Sequence, residues 1–179
     1  MIDKSTIRKL LLMQIRDNGI SGKDFSKLLL GEKTMLVRKG KRYFLEPKFR
    51  CQLKVVLTGG VFDILHIGHL RTLQEAKKYG DVLVVVVASD TTATREKRKP
   101  MNKAKERLEM MRALSCVDYA LIGVAKKEKM VKRVGADVIV FGYDQRVFLN
   151  ERDYKVVKLK KKFGGISAKT TKIIIKMGI

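Results

Sequence analysis

The run Val82-Leu83-Val84-Val85-Val86-Val87-Ala88 restricts the folds open to this chain more than any other segment. It has the length of a strand and is almost wholly β-branched, with no alternating polar residue to face water. Such a strand needs cover on both faces, and parallel sheets provide it because their crossover helices lie above and below. The surrounding segments complete the alternation. Residues 53–58 read as a strand, 67–79 as a helix, 81–88 as the apolar strand and 102–114 as a helix. Strand 117–122, helix 126–134, strands 137–141 and 154–159 and a closing helix over 169–177 follow. Strands alternating with right-handed crossovers predict an α/β, Rossmann-like parallel sheet with helices on both faces, carried by residues 51–179.

Residues 1–50 follow another pattern and read as a separate small unit. Ile7, Leu10, Leu11 and Ile15 share one helical face, and Asn18-Gly19 stops that helix. Ser21 with Asp24 resembles a capping box for a second helix carrying Phe25, Leu28 and Leu29. Met35-Leu36-Val37, a Lys39-Gly40 turn and Tyr43-Phe44-Leu45 predict a hairpin. Helix, helix and hairpin make a winged-helix-like unit suited to nucleic acid; a structural flap or a subunit contact, as in a homodimer, is the alternative use.

Charge narrows the partners. Forty Lys and Arg against 18 Asp and Glu give a net +22, an excess spread over both parts of the chain. A field of that sign gathers anions: nucleotides, phosphorylated metabolites, RNA or acidic surfaces. No run approaches the roughly 18 apolar residues of a membrane span. The N-terminus has no signal-peptide pattern, so the expected location is cytoplasmic. The two cysteines, Cys51 and Cys116, lie too far apart for a metal-ligand spacing and are expected as free thiols.

In a sheet of this kind the ligand lies beyond the carboxyl ends of the strands. The chemistry-bearing residues fall at those ends. Thr58, Gly59 and Gly60 follow the first strand, with Val61, Phe62, Asp63, His66, Gly68 and His69 leading into a helix. Ser89-Asp90 and a basic loop over 95–99 follow the second. Gly142-Tyr143-Asp144-Gln145 follow the fourth. Glycines let backbone N–H groups approach phosphate oxygens, and a helix N-terminus adds partial positive charge. His66 and His69, the only two histidines, sit where they can donate to those oxygens. Structural histidines or a metal pair are the bland alternatives. Asp63 reads equally as a cap for the following helix, Arg107 as an exposed ion-pair residue, Asp90 as a helix cap and Lys160-Lys161-Lys162 as solvated charge.

The segment from Gly60 to His69, GVFDILHIGH, resembles the signature of the HxGH nucleotidylyltransferase superfamily, in its cytidylyltransferase-like branch. Arg98-Lys99-Pro100, Arg107, Val117-Asp118, Gly142–Gln145 and Thr170-Thr171-Lys172-Ile173-Ile174 extend the resemblance over residues 53–179. Around Asp63, Lys99-Pro100 and Gly142–Gln145 it is most similar to archaeal FAD synthases, with glycerol-3-phosphate cytidylyltransferases next.

That resemblance implies in-line attack by an acceptor phosphate on the α-phosphorus of a nucleoside triphosphate, with pyrophosphate leaving and no covalent enzyme intermediate. By the same resemblance His66, His69 and Lys99 are the catalytic residues, the histidines on the α- and β-phosphates. Thr58, Gly59, Gly60, Val61, Phe62, Asp63, Gly68, Gly142, Asp144, Thr170 and Thr171 line the nucleotide. Arg98 and Arg107 are candidate contacts to the acceptor phosphate. Mg²⁺ or another divalent cation would ride on phosphate oxygens and water, with no direct protein ligand. The implied reaction makes FAD from FMN and ATP; CTP with glycerol 3-phosphate or a similar polyol phosphate is the alternative. An RNA-binding or regulatory protein on a nucleotide-binding fold is the alternative of another class.

Two departures stand out. Ile166-Ser167 is separated from Thr170-Thr171 by Ala168-Lys169, so Ser167 competes with those threonines as the closing hydroxyl. Residues 1–50 are additional to what archaeal FAD synthases generally carry.

Overall fold

A computed structural model describes residues 3–96, 99–143, 145–147 and 154–160. The chain divides into two compact units, Met1–Lys54 and Val55–Ile179.

In the first unit, α1 (Lys4–Asp17) buries Ile7, Leu10, Leu11 and Ile15 along one face and is capped by the Asp3 carboxylate, which accepts from the Ser5 N–H. Asn18 ends it in the left-handed region at φ 55°, and Gly19 follows at φ 104°. A Cβ at Gly19 would lie 2.6 Å from Phe44 Cζ, so both backbone and space require glycine there. The chain continues through β1 (Ile20–Ser21), α2 (Gly22–Ser26), α3 (Leu30–Lys33), β2 (Leu36–Lys39), β3 (Arg42–Leu45) and α4 (Pro47–Arg50). The strands form an antiparallel sheet in the order β1-β3-β2.

This unit departs from the two-helix expectation. Ser21 does cap α2, accepting from the Asp24 N–H at 3.1 Å. The helix stops after five residues, however, and Leu29 ends 73% exposed instead of on an apolar face. Leu28 alone is buried beyond Phe25, too little apolar anchoring to carry a short helix further. Ile20–Ser21, a two-residue strand beneath any periodicity signal, pairs with β3.

In the second unit β4 (Val55–Gly60), α5 (Ile67–Lys77), β5 (Val82–Val87), α6 (Asp90–Glu96), α7 (Ala104–Arg112), β6 (Tyr119–Ile122), α8 (Lys127–Val134), β7 (Val138–Phe141) and β8 (Lys155–Lys158) follow in turn. The five strands are parallel in the order β6-β5-β4-β7-β8. Right-handed crossovers then put α5 and α7 on one face and α8 on the other, which gives β5 the double cover its sequence demands. Leu83, Val85 and Val87 of β5 join Val56, Leu73, Met111, Ala120, Val138 and Val140 in the core. Two aspartates clamp strand starts: Asp118 accepts from the Leu83 N–H, and Asp137 from the Val55 N–H at 2.7 Å.

Chain order reverses between β4 and β7, so the crevice at the carboxyl ends of these strands is the expected ligand position. The basic loop expected over 95–99 is in part helical, because α6 runs to Glu96. The Ser89 hydroxyl starts that helix, accepting from the Thr92 N–H at 3.2 Å. No helix of the described residues is long and apolar enough to cross a membrane.

Candidate active site

The segment after β4 is built to turn tightly against two neighbours. Thr58 is buried and its hydroxyl donates to the Val140 carbonyl at 2.9 Å, tying β4 to β7 at the reversal point. The Gly60 carbonyl accepts from the Ala88 N–H at 2.9 Å, tying the same segment to the end of β5. A Cβ on Gly59 would stand 3.2 Å from the Val86 carbonyl oxygen, and one on Gly60 would stand 2.9 Å from the Phe62 ring. The glycines are therefore demanded by close packing as well as by any ligand. Phe62 turns the chain at φ 53° and enters the core. Its ring meets the edge of His69 at 5.4 Å, so it seats the imidazole, a different task from the nucleotide contact expected of it.

His66 is the N-cap residue of α5, and its carbonyl accepts the His69 N–H at 2.9 Å. The two rings stack with centroids 3.8 Å apart and planes 24° apart. A three-residue separation across a helix start therefore produces one imidazole pair beside the N–H groups of the first turn. Gly68 lies between them, buried, its carbonyl taking the Thr72 hydroxyl at 2.8 Å. Stacked donors and a helix N-terminus together form a place for phosphate oxygens.

Asp63 and Arg107 turn out otherwise than expected. Asp63 is buried, and its carboxylate accepts from the Asn102 N–H at 2.9 Å while its carbonyl accepts from Asn102 Nδ2 at 2.6 Å. Its carboxylate holds the approach to α7. Arg107 is 0% exposed, which overturns the exposed ion-pair reading. Its guanidinium donates to the Asn102 carbonyl at 3.0 Å, the Val61 carbonyl at 2.6 Å and the Asp90 carboxylate at 2.7 Å. A side chain so engaged positions the loop. The hydrogen bond from Arg107 holds the Asp90 carboxyl below the usual carboxylate range.

A cleft of ≈ 680 Å³ opens on the α8 side of the β4 end. Thr58, Gly59, Gly60 and Val61 form one wall, and Val86, Met130, Val131, Ile139 and Phe141 make its floor largely apolar. Its polar rim includes Ser89, Lys127, Gln145 and Arg146, with Lys127 paired to Glu96 at 2.7 Å. Neither histidine lines it. The site thus has two parts, the imidazole pair and the cleft, with the segment 58–61 lining the cleft and leading through Phe62 towards the pair.

Gln145 holds the far side together. Its Nε2 donates to the Gly59 carbonyl and its Oε1 accepts from the Gly142 N–H, both at 2.7 Å. Sequence reading grouped Gln145 with Gly142 and Asp144 but assigned it no task, and it passed over Asn102 and Arg146. Lys99 is exposed in the segment between α6 and α7. Arg98, Asp144, Lys161, Lys162, Ser167, Thr170 and Thr171 lie outside the described residues, as does the helix expected over 169–177.

Comparison with known proteins agrees with this architecture. The family model described as cytidylyltransferase-like matches residues 57–178. The chain is 43% identical over 133 residues to the FAD synthase of Thermococcus kodakarensis, covering 66% of this chain and 88% of that one. It is 46% identical over 104 residues to the FAD synthase of Methanohalophilus mahii, covering 58% of this chain and 72% of the relative. Among solved structures, the lipopolysaccharide core biosynthesis protein from Thermoplasma volcanium superposes with a TM-score of 0.58 at 37% identity, over 63% of this chain and 99% of that one. A family match across two thirds of the sequence, on the unit that carries the imidazole pair, decides the matter: the chain belongs to the cytidylyltransferase-like family of nucleotidylyltransferases.

Proposed function

We propose that this protein is an FMN adenylyltransferase, joining FMN and ATP to form FAD and pyrophosphate. The relatives named FAD synthase support the reaction. The observation that carries the acceptor is the cleft of ≈ 680 Å³ with an apolar floor, lined by residues 58–61. A planar aromatic acceptor gains from an apolar cleft of this size, whereas a small polyol phosphate would leave most of it filled with water.

In this reading a phosphate oxygen of FMN attacks the α-phosphorus of ATP in line. The bond from that phosphorus to the bridging oxygen breaks, and pyrophosphate leaves with the electron pair. His66, His69 and the first-turn N–H groups of α5 hold the α- and β-phosphates and gain strength as charge builds on them. Lys99, with Arg98, neutralises the incoming acceptor phosphate. The family resemblance assigns Gly142 and Asp144 to the nucleoside, and Thr170 and Thr171, or Ser167, to the departing phosphates. Among the described residues no group of three or more His, Cys, Asp or Glu could hold an ion. Magnesium is proposed to arrive on the triphosphate, as part of the substrate.

The test is pyrophosphate release by the full chain with ATP or CTP, each against FMN and glycerol 3-phosphate, in the presence of magnesium. Release with ATP and FMN is expected. Release with CTP and glycerol 3-phosphate but not with ATP and FMN would overturn the assignment.

A further inference from the structure

The family match begins after the N-terminal unit, which has its own chemistry. Helix, strand, two short helices and a hairpin, with β1 paired to β3, is the connectivity of a winged-helix module. Its charge is not evenly placed. The acidic side chains are taken up by neighbours: Asp3 caps α1, Asp17 and Asp24 pair with Arg16, Glu32 pairs with Lys9 at 2.7 Å, and Glu46 pairs with Lys48 at 2.8 Å. The β2–β3 hairpin carries none. It holds Arg38, Lys39, Lys41 and Arg42 around a turn at Gly40, all exposed. Lys39 and Arg42 are direct cross-strand partners, an arrangement of like charges that destabilises a hairpin in isolation. Lys23 on α2 and Lys27 at its C-cap, both exposed, add to the same sign, and α2 is held against β3 by Phe25 stacked on Tyr43 at 3.8 Å.

We propose that this hairpin docks on double-helical DNA, with its facing cationic strands set against the two phosphate walls of the minor groove. Lys39 and Arg42 project from one face of the sheet as direct cross-strand partners, with Arg42 steadied by donating to the Gly19 carbonyl at 3.2 Å, and such a pair suits a groove about 6 Å wide. The contact is to phosphate and not to sequence. Helix α3 has four residues, about 6 Å of length at 1.5 Å per residue, too short to lie along a major groove. Leu29 and Leu30 at its start offer no donors to base edges. Single strands are the poorer fit because Phe25 and Tyr43 stack on each other, so one face of each ring is closed to bases.

The experiment measures binding of the full chain to a short fluorescent mixed-sequence DNA duplex by anisotropy, over a range of salt. Saturating magnesium and ATP keep the triphosphate site filled. Lys39→Glu with Lys41→Glu should lower affinity at least about tenfold and flatten the slope of log K against log salt by about 2. Lys129→Glu with Lys132→Glu, the same charge change on the exposed side of α8, should leave affinity within about twofold by the same reckoning. Unchanged thermal midpoints establish that both variants fold. Absence of duplex binding by the wild type overturns the proposal. So does an equal loss in both variants, which would indicate only the general +22 field. Equal affinity for an RNA duplex or for anionic phospholipid vesicles overturns it as well.

Discussion

The guanidinium of Arg107, wholly buried on α7, donates to the carbonyl of Val61 at 2.6 Å, 46 residues earlier in the chain. The same side chain reaches the Asn102 carbonyl and the Asp90 carboxylate. One residue therefore ties the turn between Gly59-Gly60 and the imidazole pair to the starts of α6 and α7. Asp63, bonded to Asn102, makes a second tie a few residues on.

Arg107→Met should cost about 2 kcal/mol of unfolding free energy, because it removes three hydrogen bonds, one of them to a carboxylate, from part-buried acceptors. Arg107→Lys should recover only part, since an ammonium cannot reproduce the planar fork. Urea denaturation of the three proteins checks this; wild-type stability in Arg107→Met would refute the positioning role.

His66→Ala and His69→Ala should each lower kcat by about 10²–10³-fold, the usual loss for one charge-stabilising donor. Unfolding midpoints should move little for His66→Ala, and more for His69→Ala, whose ring also packs on Phe62. Near-normal turnover in both would remove the imidazole pair from the chemistry.

Val124 lines the cleft and is 47% exposed, so it can be changed with little cost to folding. Val124→Glu places a negative charge in the cleft proposed to take the anionic flavin and should raise the KM for FMN roughly tenfold, about 1.4 kcal/mol. The KM for ATP should stay within a factor of about two by the same scale. Equal changes in both constants would argue against separate compartments.

The Asp90 carboxyl is lowered from 3.8 by its hydrogen bond to Arg107. The unfolded chain therefore takes up its proton first as pH falls. The stabilisation is complete above 3.8 and is lost as pH drops through the lower folded value. Asp90→Asn should be less stable than wild type at neutral pH, with the gap closing in acid below 3.8. The effect is small because the Asp90 side chain is 52% exposed. Guanidinium chloride midpoints across the acid range check it; a gap that widens in acid would contradict the pairing.

Local patterning determined a good deal here. The valines of β5 could be stable only under helices on both sides, and the spacing of His66 and His69 could only place both imidazoles at one helix start. Local patterning also failed where its signal was weak. Helix α6 was hidden because Thr91, Thr92 and Thr94 are poor helix formers, and only the Ser89 cap and the packing of Ala93 make it a helix. What tertiary structure alone decided are contacts between residues far apart in the chain. Thr58 bonds Val140 across 82 positions and Gln145 bonds Gly59 across 86. Arg107 is buried because three oxygens from separate segments converge on it. Periodicity reports which face of an element is apolar; it carries no information on which distant carbonyl a buried donor will meet, and that pairing is fixed only when the sheet order closes.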